Sequence, residues 1–490
     1  MKGWFSCIQE WVWSALVLLL PVTSMPLIIR LVKSDSVAAP SAFLLLVFIL
    51  LWFPSFVHQG GKLSGVMLPF LGFVVFALFT TIFSNFFPIP GLREHRPIFS
   101  QLSALLTLAI GASFYLAFSL WPIEHERLRL TIRLVNWAGL ATLIWATIQA
   151  LAWYSNFGYP QWMRDFHEFF STGPLNRQRV LGFTLEPSWL AHELNMLFLP
   201  LWLAASLKKF SWHKFRVYGF TFENLLLAGG VIILLLTLSR IGLLAFLAVL
   251  AYLLLRATRW ASRKISEKMM RHDVRLTSVE NRQQRLLTIG IFLGFSVIYL
   301  GVAIGLGWLL SRLDIRTAKL FQFDFGQEDP ILHYAKQINI AARLVYWQAG
   351  WNIFAEHPWL GVGMGNAGFY LPGQLSNYAM GLMEVRQLLY RSDVLLNIKC
   401  LWVRILAETG IVGFSFFLSW FINLWLSGRN AEKCAMKDLS TIGLACRFAC
   451  IALIVEGFSV DTFALPYIWI LLGLATAANM MIYKSPRSVA

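Results

Sequence analysis

Arginine side chains stand at three points of this chain where they could hold an anion. Arg343 lies in a stretch with helix-like spacing, residues 341–354, whose other side chains are mostly apolar or aromatic. Arg179 comes shortly before an apolar segment that begins at Pro187, and Arg240 separates two apolar segments. A guanidinium group can donate two parallel hydrogen bonds to a phosphate. These positions therefore favour a binding site for an anionic substrate.

Two of these arginines also have a purely structural interpretation. Arg240 could be a snorkelling side chain that holds a turn at the membrane interface, and Arg343 could belong to a structural ion pair. Arg179 has no such explanation, because it precedes an apolar segment on the face of the membrane where basic residues are disfavoured.

A second group of polar residues lies around the start of an apolar segment at Leu401. Arg404 and Glu408 are four residues apart, so they share one helix face and are expected to pair. Charged residues inside a membrane are also candidates for function, which makes Arg404 a candidate for substrate binding. Lys399 would either snorkel to the interface or, if desolvated, act as a base or a phosphate ligand.

Two further motifs have both a structural and a functional interpretation. Glu186 precedes Pro187, so it either complements the positive end of a helix or belongs to the site. The run from His357 to Asn366 contains glycines at every second position from 361 to 365. Such glycines permit tight turns, and the run is either a plain turn or a nest of N–H groups for an anion.

The elements that position these residues are predicted to be membrane helices, so the expected fold is all-α. Of the 490 residues, 58% are hydrophobic and 13% are charged, whereas soluble domains have about 25% charged residues. A membrane-spanning helix needs about 20 apolar residues. The twelve predicted spans are Trp11–Leu31, Ser41–Val57, Gly65–Asn85, Leu102–Trp121, Thr131–Trp153, Pro187–Leu207, Phe222–Leu238, Ile241–Ala257, Leu287–Leu310, Leu401–Ser427, Ser440–Val460 and Thr462–Tyr483.

The region from Phe222 to Arg256 is predicted to be two spans that meet near Arg240, because one long helix would place that arginine at the membrane centre. The densest basic stretch, Arg256 to Arg285, predicts the orientation. If this stretch is cytoplasmic, both termini are cytoplasmic too, and the large polar segment 311–400 is periplasmic.

Four parts follow from this organisation: residues 1–153 with five spans, 154–310 with four spans and an outer loop at 154–186, the partly helical periplasmic loop 311–400, and 401–490 with three spans. The formal net charge is +16, but the basic residues are divided between two faces. We therefore expect contacts with membrane lipid and no nucleic-acid partner. The sequence shows no pattern typical of a metal site or a soluble nucleotide site, so no cofactor is expected.

Taken together, the motifs resemble the O-antigen ligase/polymerase family of bacterial membrane glycosyltransferases. The matching residues are Arg179-x-x-Gly182 with Pro187, Ser239-Arg240-x-Gly242, Arg343 followed by His357-Pro358-x-x-Gly361-x-Gly363-x-Gly365, and Leu406-Ala407-Glu408-Thr409-Gly410-Ile411-x-Gly413. The resemblance implies a GT-C-like protein of the bacterial inner membrane. It also implies a metal-independent, inverting transfer of a glycan from undecaprenyl diphosphate.

The resemblance further implies roles for single residues. Arg179 and Arg343 would hold the diphosphate leaving group, and Arg240 would support them. Lys399 stands where the family's ligases usually have a histidine, proposed to activate the acceptor hydroxyl. Glu186, Lys399 and His357 are then the candidates for a catalytic base.

The function expected from the sequence is a polysaccharide polymerase, which transfers a lipid-linked glycan onto the next lipid-linked repeat unit at the periplasmic face. One alternative is a ligase that joins the glycan to lipid A core or another acceptor. A different class would be a transporter or flippase of lipid-linked sugars, and a non-catalytic assembly component is also left open. The sequence does not decide whether a chain-length regulator binds.

Overall fold

The computed structural model describes residues 2–32, 38–156, 158–270, 278–323, 326, 330–392 and 394–484. This part of the chain is all-α apart from a small antiparallel hairpin of β1 (Arg216–Val217) and β2 (Phe220–Thr221). The α-helices are α1 (Lys2–Leu18), α2 (Pro26–Val32), α3 (Pro40–His58), α4 (Leu68–Ser84), α5 (Pro97–Leu120), α6 (His125–Asn156), α7 (Gln161–Phe170), α8 (Pro187–Glu193), α9 (Leu199–Lys208), α10 (Phe222–Leu236), α11 (Arg240–Met270), α12 (Ser278–Leu313), α13 (Ile315–Ala318), α14 (Pro330–Gln337), α15 (Ala341–Glu356), α16 (Ala367–Gln374), α17 (Met383–Tyr390), α18 (Leu401–Glu432), α19 (Lys437–Glu456) and α20 (Ile470–Lys484). Tight 3₁₀ turns cover Gly65–Met67, Lys319–Phe321, Asn377–Gly381 and Pro466–Ile468, and a π turn at Leu194–Phe198 joins α8 to α9.

Ten helical segments in the described part of the chain are long and apolar enough to cross a membrane, which makes this a multi-pass membrane protein. They are Pro40–His58, Gly65–Ser84, Pro97–Leu120, His125–Ser155, Pro187–Lys208, Arg240–Lys264, Thr288–Arg312, Leu401–Glu432, Lys437–Glu456 and Pro466–Lys484.

The predicted number of twelve spans is therefore too high. The expected span Trp11–Leu31 is two helices, because Pro21 follows the end of α1 and Pro26 begins α2. α10 is apolar but has only 15 residues, fewer than the roughly 20 that a full crossing needs.

The predicted break near Arg240 is confirmed. α10 ends at Leu236 and α11 begins at Arg240, and between them Leu238 has a positive φ of 49°. At the end of α10 far from this break, Asn224 accepts a hydrogen bond of 2.7 Å from Ser206 of α9. Lys208, two residues further along α9, contacts Glu432, and Arg256 of α11 contacts the same Glu432. Since both far ends reach the same region, the two helices run in opposite directions.

Aromatic side chains form the core that holds α4, α5, α18 and α20 together. Phe70 packs on Trp420 and Trp469 with ring centroids 4.6 and 5.3 Å apart. Tyr115 contacts the same aromatic group, and its hydroxyl lies 3.0 Å from that of Thr476. This core fixes α5 and α18, which both contribute residues to the candidate site, against α20.

Helices α14 to α17 and the chain around them form a smaller core of their own, with Tyr346, Ile353, Val362 and Val385 fully or almost fully buried. The prediction that residues 311–400 are partly helical is confirmed for the described residues. We call the face of the protein that carries α14–α17 the loop face, and the face that carries Glu432 the opposite face. That the loop face is periplasmic remains a prediction.

Candidate functional site

A cavity of about 540 Å³ lies on the loop face, where the membrane helices meet the chain that follows α15. One wall consists of small side chains of α5, including Ser100, Ser103 and Thr107. The chain at 394–398 and the connection between α19 and α20 close other sides. Arg404, Glu408 and Asp461 are the charged residues that line it.

Arg404 and Glu408 form the ion pair that their spacing predicted. The Nε of Arg404 donates to Oε2 of Glu408 at 3.0 Å, and the two side chains are only 11% and 4% exposed. Arg404 also donates to the backbone oxygen of Asp461. The pair therefore joins α18 to the connection between α19 and α20.

Asp461 is the candidate residue that the sequence analysis missed. It is half-buried and lines the cavity, and burial raises the pKa of its carboxyl above the ordinary value, while the charges of Arg404, Lys399 and Arg343 act in the opposite direction. One signal was present in the sequence: this carboxylate is the single residue between two predicted spans.

Arg343 reaches the same connection from the side of α15. Its Nη1 lies 3.2 Å from the hydroxyl of Ser459, two residues before Asp461. The positive charges of Arg343, Lys399 and Arg404, which are distant in sequence, thus act on one carboxylate. The structure brings three of the predicted site residues together here.

Lys399 has a partner already. Its ammonium group pairs with the carboxylate of Glu384 and lies 5.1 Å from the ring centre of Tyr346. Its backbone has a positive φ of 55°, and its side chain is partly exposed. The ammonium group of Lys399 is thus already held by a carboxylate at the edge of the site.

Arg179 and Arg240 meet at the turn between α10 and α11 and are not lining residues of the cavity. The Nε of Arg179 donates to the backbone oxygen of Thr237 at 2.9 Å, and Arg240 donates to the backbone oxygen of Ile338. Both side chains are half-buried. They hold the turn against the outer-loop residues and α14.

A buried cluster joins the start of α11 to the end of α19. Glu456, the last residue of α19, has His192 Nδ1 2.5 Å from one oxygen and receives a hydrogen bond of 2.7 Å from Asn195 on the other. Asn195 also donates to the backbone oxygen of Gly242 at 2.7 Å. The carboxylate of Glu456 therefore links α8, α11 and α19.

Glu186 lies beside the cavity, at the start of α8. Its side chain is exposed, accepts a hydrogen bond of 2.9 Å from Ser188 and makes no capping bond to the helix. Its neighbours Leu185 and Trp189 line the cavity. The simple capping interpretation is therefore not supported by a hydrogen bond, and Glu186 stays a candidate at the cavity's edge.

The glycine run is a turn that closes a break in α18 at Gly410, where φ is 62°. Within the run, the N–H groups of Val362 and Gly363 donate to the carbonyls of Ala407 and Glu408 at 3.0 and 2.9 Å. Because these N–H groups are used inside the protein, the anion-nest interpretation is not supported. His357 lies at the end of α15 with its ring 5.5 Å from that of Tyr370, away from the cavity lining.

Positive charge at the site comes from side chains. In the part of the chain that the structure describes, no group of three or more His, Cys, Asp or Glu residues is placed to hold a metal ion. Arg404 lines the cavity, and the charges of Arg343 and Lys399 act on Asp461 in its wall.

A multi-pass membrane protein with a cationic site at one face is the class that fold and site define. Comparison with protein families adds the family: residues 225–418 match the model described as O-antigen ligase. Residues 225–418 thus form a domain of the O-antigen ligase/polymerase family, whose members are membrane proteins of polysaccharide biosynthesis. The resemblance found in the motifs is confirmed. No match to a curated protein was found.

The matched region contains some of the candidate residues and not others. Arg240, Arg343 and Arg404 lie within it, as do His357 and Lys399. The residues outside it are Arg179, Glu186 and Asp461.

Proposed function

We propose that the protein is a polysaccharide polymerase. It transfers a growing glycan from undecaprenyl diphosphate to the next lipid-linked repeat unit, at the loop face and on the periplasmic side of the bacterial inner membrane. The observation that carries this proposal is that the charges of Arg343, Lys399 and Arg404 act together on Asp461, which lines the cavity beside Arg404. A diphosphate ester is the anionic part of such a donor.

The cations act on the leaving group. Negative charge accumulates on the diphosphate as its bond to the sugar breaks, and fixed guanidinium groups stabilise that charge better than mobile water. Arg404 lines the cavity and Arg343 lies beside Ser459, two residues before Asp461, so we expect these two side chains to contact the diphosphate first. Arg179 and Arg240 bind the donor from the turn between α10 and α11. Side-chain cations in these positions make the reaction metal-independent.

A carboxylate is the preferred base. The acceptor hydroxyl attacks the anomeric carbon from the side opposite the diphosphate, so the configuration inverts, and its proton passes to the base. Asp461 lines the cavity, and its raised pKa makes it a better proton acceptor than an exposed aspartate. Of the three candidates from the sequence, Glu186 adjoins the lining residue Leu185 and its side chain bonds to Ser188, whereas Lys399 is paired with Glu384 and His357 packs on Tyr370.

A ligase is the second candidate, because the matching family model is described as O-antigen ligase. The chemistry at the donor is the same in both reactions. The difference lies in the acceptor, which is another lipid-linked repeat unit for the polymerase and a different lipid or core saccharide for the ligase.

One reconstitution experiment tests the proposal. The purified protein in proteoliposomes is incubated with synthetic undecaprenyl-diphosphate repeat units, and the products are separated on a gel. A ladder supports the polymerase, and a single adduct that forms only with a second acceptor supports the ligase. Exchange of the donor between leaflets with no new bond indicates a flippase.

Variants then test the cation site. Arg343→Ala and Arg179→Ala are expected to abolish the ladder, whereas Arg386→Ala is a matched control because Arg386 is an exposed arginine on α17. Ladders of wild-type length from both Arg343→Ala and Arg179→Ala would remove the proposed diphosphate site.

A further inference from the structure

Helix α7 has three distinct faces. Met163 and His167 are buried against the protein. The aromatic residues Trp162, Phe166 and Phe169 follow a spacing of four and three, so they form one stripe, and they are 58%, 43% and 61% exposed. The exposed polar residues of the third face are Gln161, Arg164, Asp165 and Glu168. A stripe of three exposed aromatic side chains requires an apolar partner.

The position of α7 identifies that partner. Phe166 packs on Trp145 with ring centroids 4.6 Å apart. Trp145 lies inside the membrane-spanning segment His125–Ser155, about three turns before its end. The helix therefore folds back against the span instead of projecting into water. Near the same end of the span, Leu151 is 62% exposed, so the aromatic stripe continues the lipid-facing surface of α6.

We propose that α7 is an interfacial helix whose aromatic stripe inserts into the membrane leaflet on the loop face. The stripe meets the boundary between headgroups and acyl chains, and the polar face, with Arg164 and Glu168, meets headgroups and water. Aromatic residues are favoured at this depth, and a helix with separate apolar and charged faces lies in the plane of the interface.

The lipid-bound helix is joined directly to the wall of the candidate site. Just after α7, the backbone N–H of Thr172 donates to the backbone oxygen of Ser24 at 3.0 Å, and the two hydroxyl groups also bond to each other. Ser24 lines the cavity. Insertion of α7 into the leaflet thus fixes the position of one wall of the cavity relative to the membrane surface.

The test compares two faces of the same helix in the full-length protein. Cys7 and Cys434, the free cysteines that are not buried, are replaced by serine. Single cysteines then replace Trp162 or Phe169 on the aromatic stripe, and Asp165 or Glu168 on the polar face. Each is labelled with bimane, and the protein is placed in nanodiscs of phosphatidylcholine with or without bromine on the acyl chains.

We expect the labels at 162 and 169 to be quenched by brominated lipid at least about twofold more than those at 165 and 168, because the bromines lie below the headgroups. Iodide in the aqueous phase should show the reverse order. Equal quenching of both faces by brominated lipid would overturn the proposal.

A second copy of the chain is the competing occupant of the stripe. In that case the labels at 162 and 169 would be protected from both brominated lipid and iodide in discs that hold two copies, and exposed to iodide in discs that hold one. That result would also overturn the lipid proposal. Two positions on each face guard against a variant that fails to fold, which its elution on size exclusion reveals.

Discussion

The Nε atom of Arg404 lies 3.0 Å from Oε2 of Glu408, one turn further along α18. The pair stands just before the break at Gly410 and on the wall of the cavity. The same guanidinium also holds the backbone of Asp461. One arginine thus connects the helix break, the cavity and the carboxylate proposed as the base.

Removing Arg404 should affect both stability and activity. In Arg404→Ala the carboxylate of Glu408 stays buried without its partner, and breaking a buried pair in this way costs about 3–5 kcal/mol. We expect a large fall in the thermal unfolding midpoint in detergent and loss of glycan transfer. The exposed Arg386→Ala should change the midpoint little, and an equal shift in both variants would contradict a special role for the pair.

Asp461 should make stability depend on pH. Its raised pKa means that the folded protein binds the proton more tightly than the unfolded chain. The resulting stabilisation is present below the unfolded pKa of about 3.9, and it is lost as the pH rises through the folded pKa. Asp461→Asn should therefore unfold at a higher temperature than the wild type at pH 7, and the gain should shrink towards pH 4.

Thermal melts across this pH range provide the measurement. A variant that is less stable than the wild type at pH 7 would show that attraction to Arg404, Lys399 and Arg343 outweighs burial. Transfer activity in the same variant should fall sharply, because asparagine cannot accept the acceptor's proton.

Glu456 should act on catalysis through the position of the chain that follows it. Glu456→Gln replaces one of the two oxygens that contact His192 and Asn195, and one such hydrogen bond contributes about 0.5–1.5 kcal/mol. The matched control is Glu223→Gln, because Glu223 is also fully buried and accepts hydrogen bonds from Asn136 and Trp212, far from the cavity. Both variants should lose stability, but only Glu456→Gln should lower kcat with little change in KM. Equal kcat values in the two variants would contradict a positioning role for Glu456.

Gly410 should tolerate no side chain. Its φ of 62° is strained for other residues, and a Cβ atom there would collide with the backbone oxygen of Trp359. Strain of this kind costs about 1–3 kcal/mol before the collision is counted. Gly410→Ala should accumulate poorly in membranes, whereas Gly373→Ala, which has open space around it, should accumulate normally. Fluorescence-detected size exclusion of tagged variants measures both.

Local features of this protein could be predicted from the sequence, because they depend on residues close together in the chain. Long apolar segments predicted the membrane helices. The cost of a charge at the membrane centre predicted the break before Arg240, and a spacing of four residues predicted the pair of Arg404 and Glu408. The motif order also indicated the family. Each inference rests on helix geometry or composition within a short window.

Only the tertiary structure decided which distant residues meet. Asp461 was not among the predicted site residues, and it became a candidate only when the packing of α15, α18 and α19 brought Arg343, Lys399 and Arg404 to it. Tertiary packing also supplied Glu384 of α17 as the partner of Lys399 and the backbone of α18 as the partner of the glycine run. Contacts between residues tens of positions apart depend on how whole helices pack, and no periodicity in a single segment encodes that.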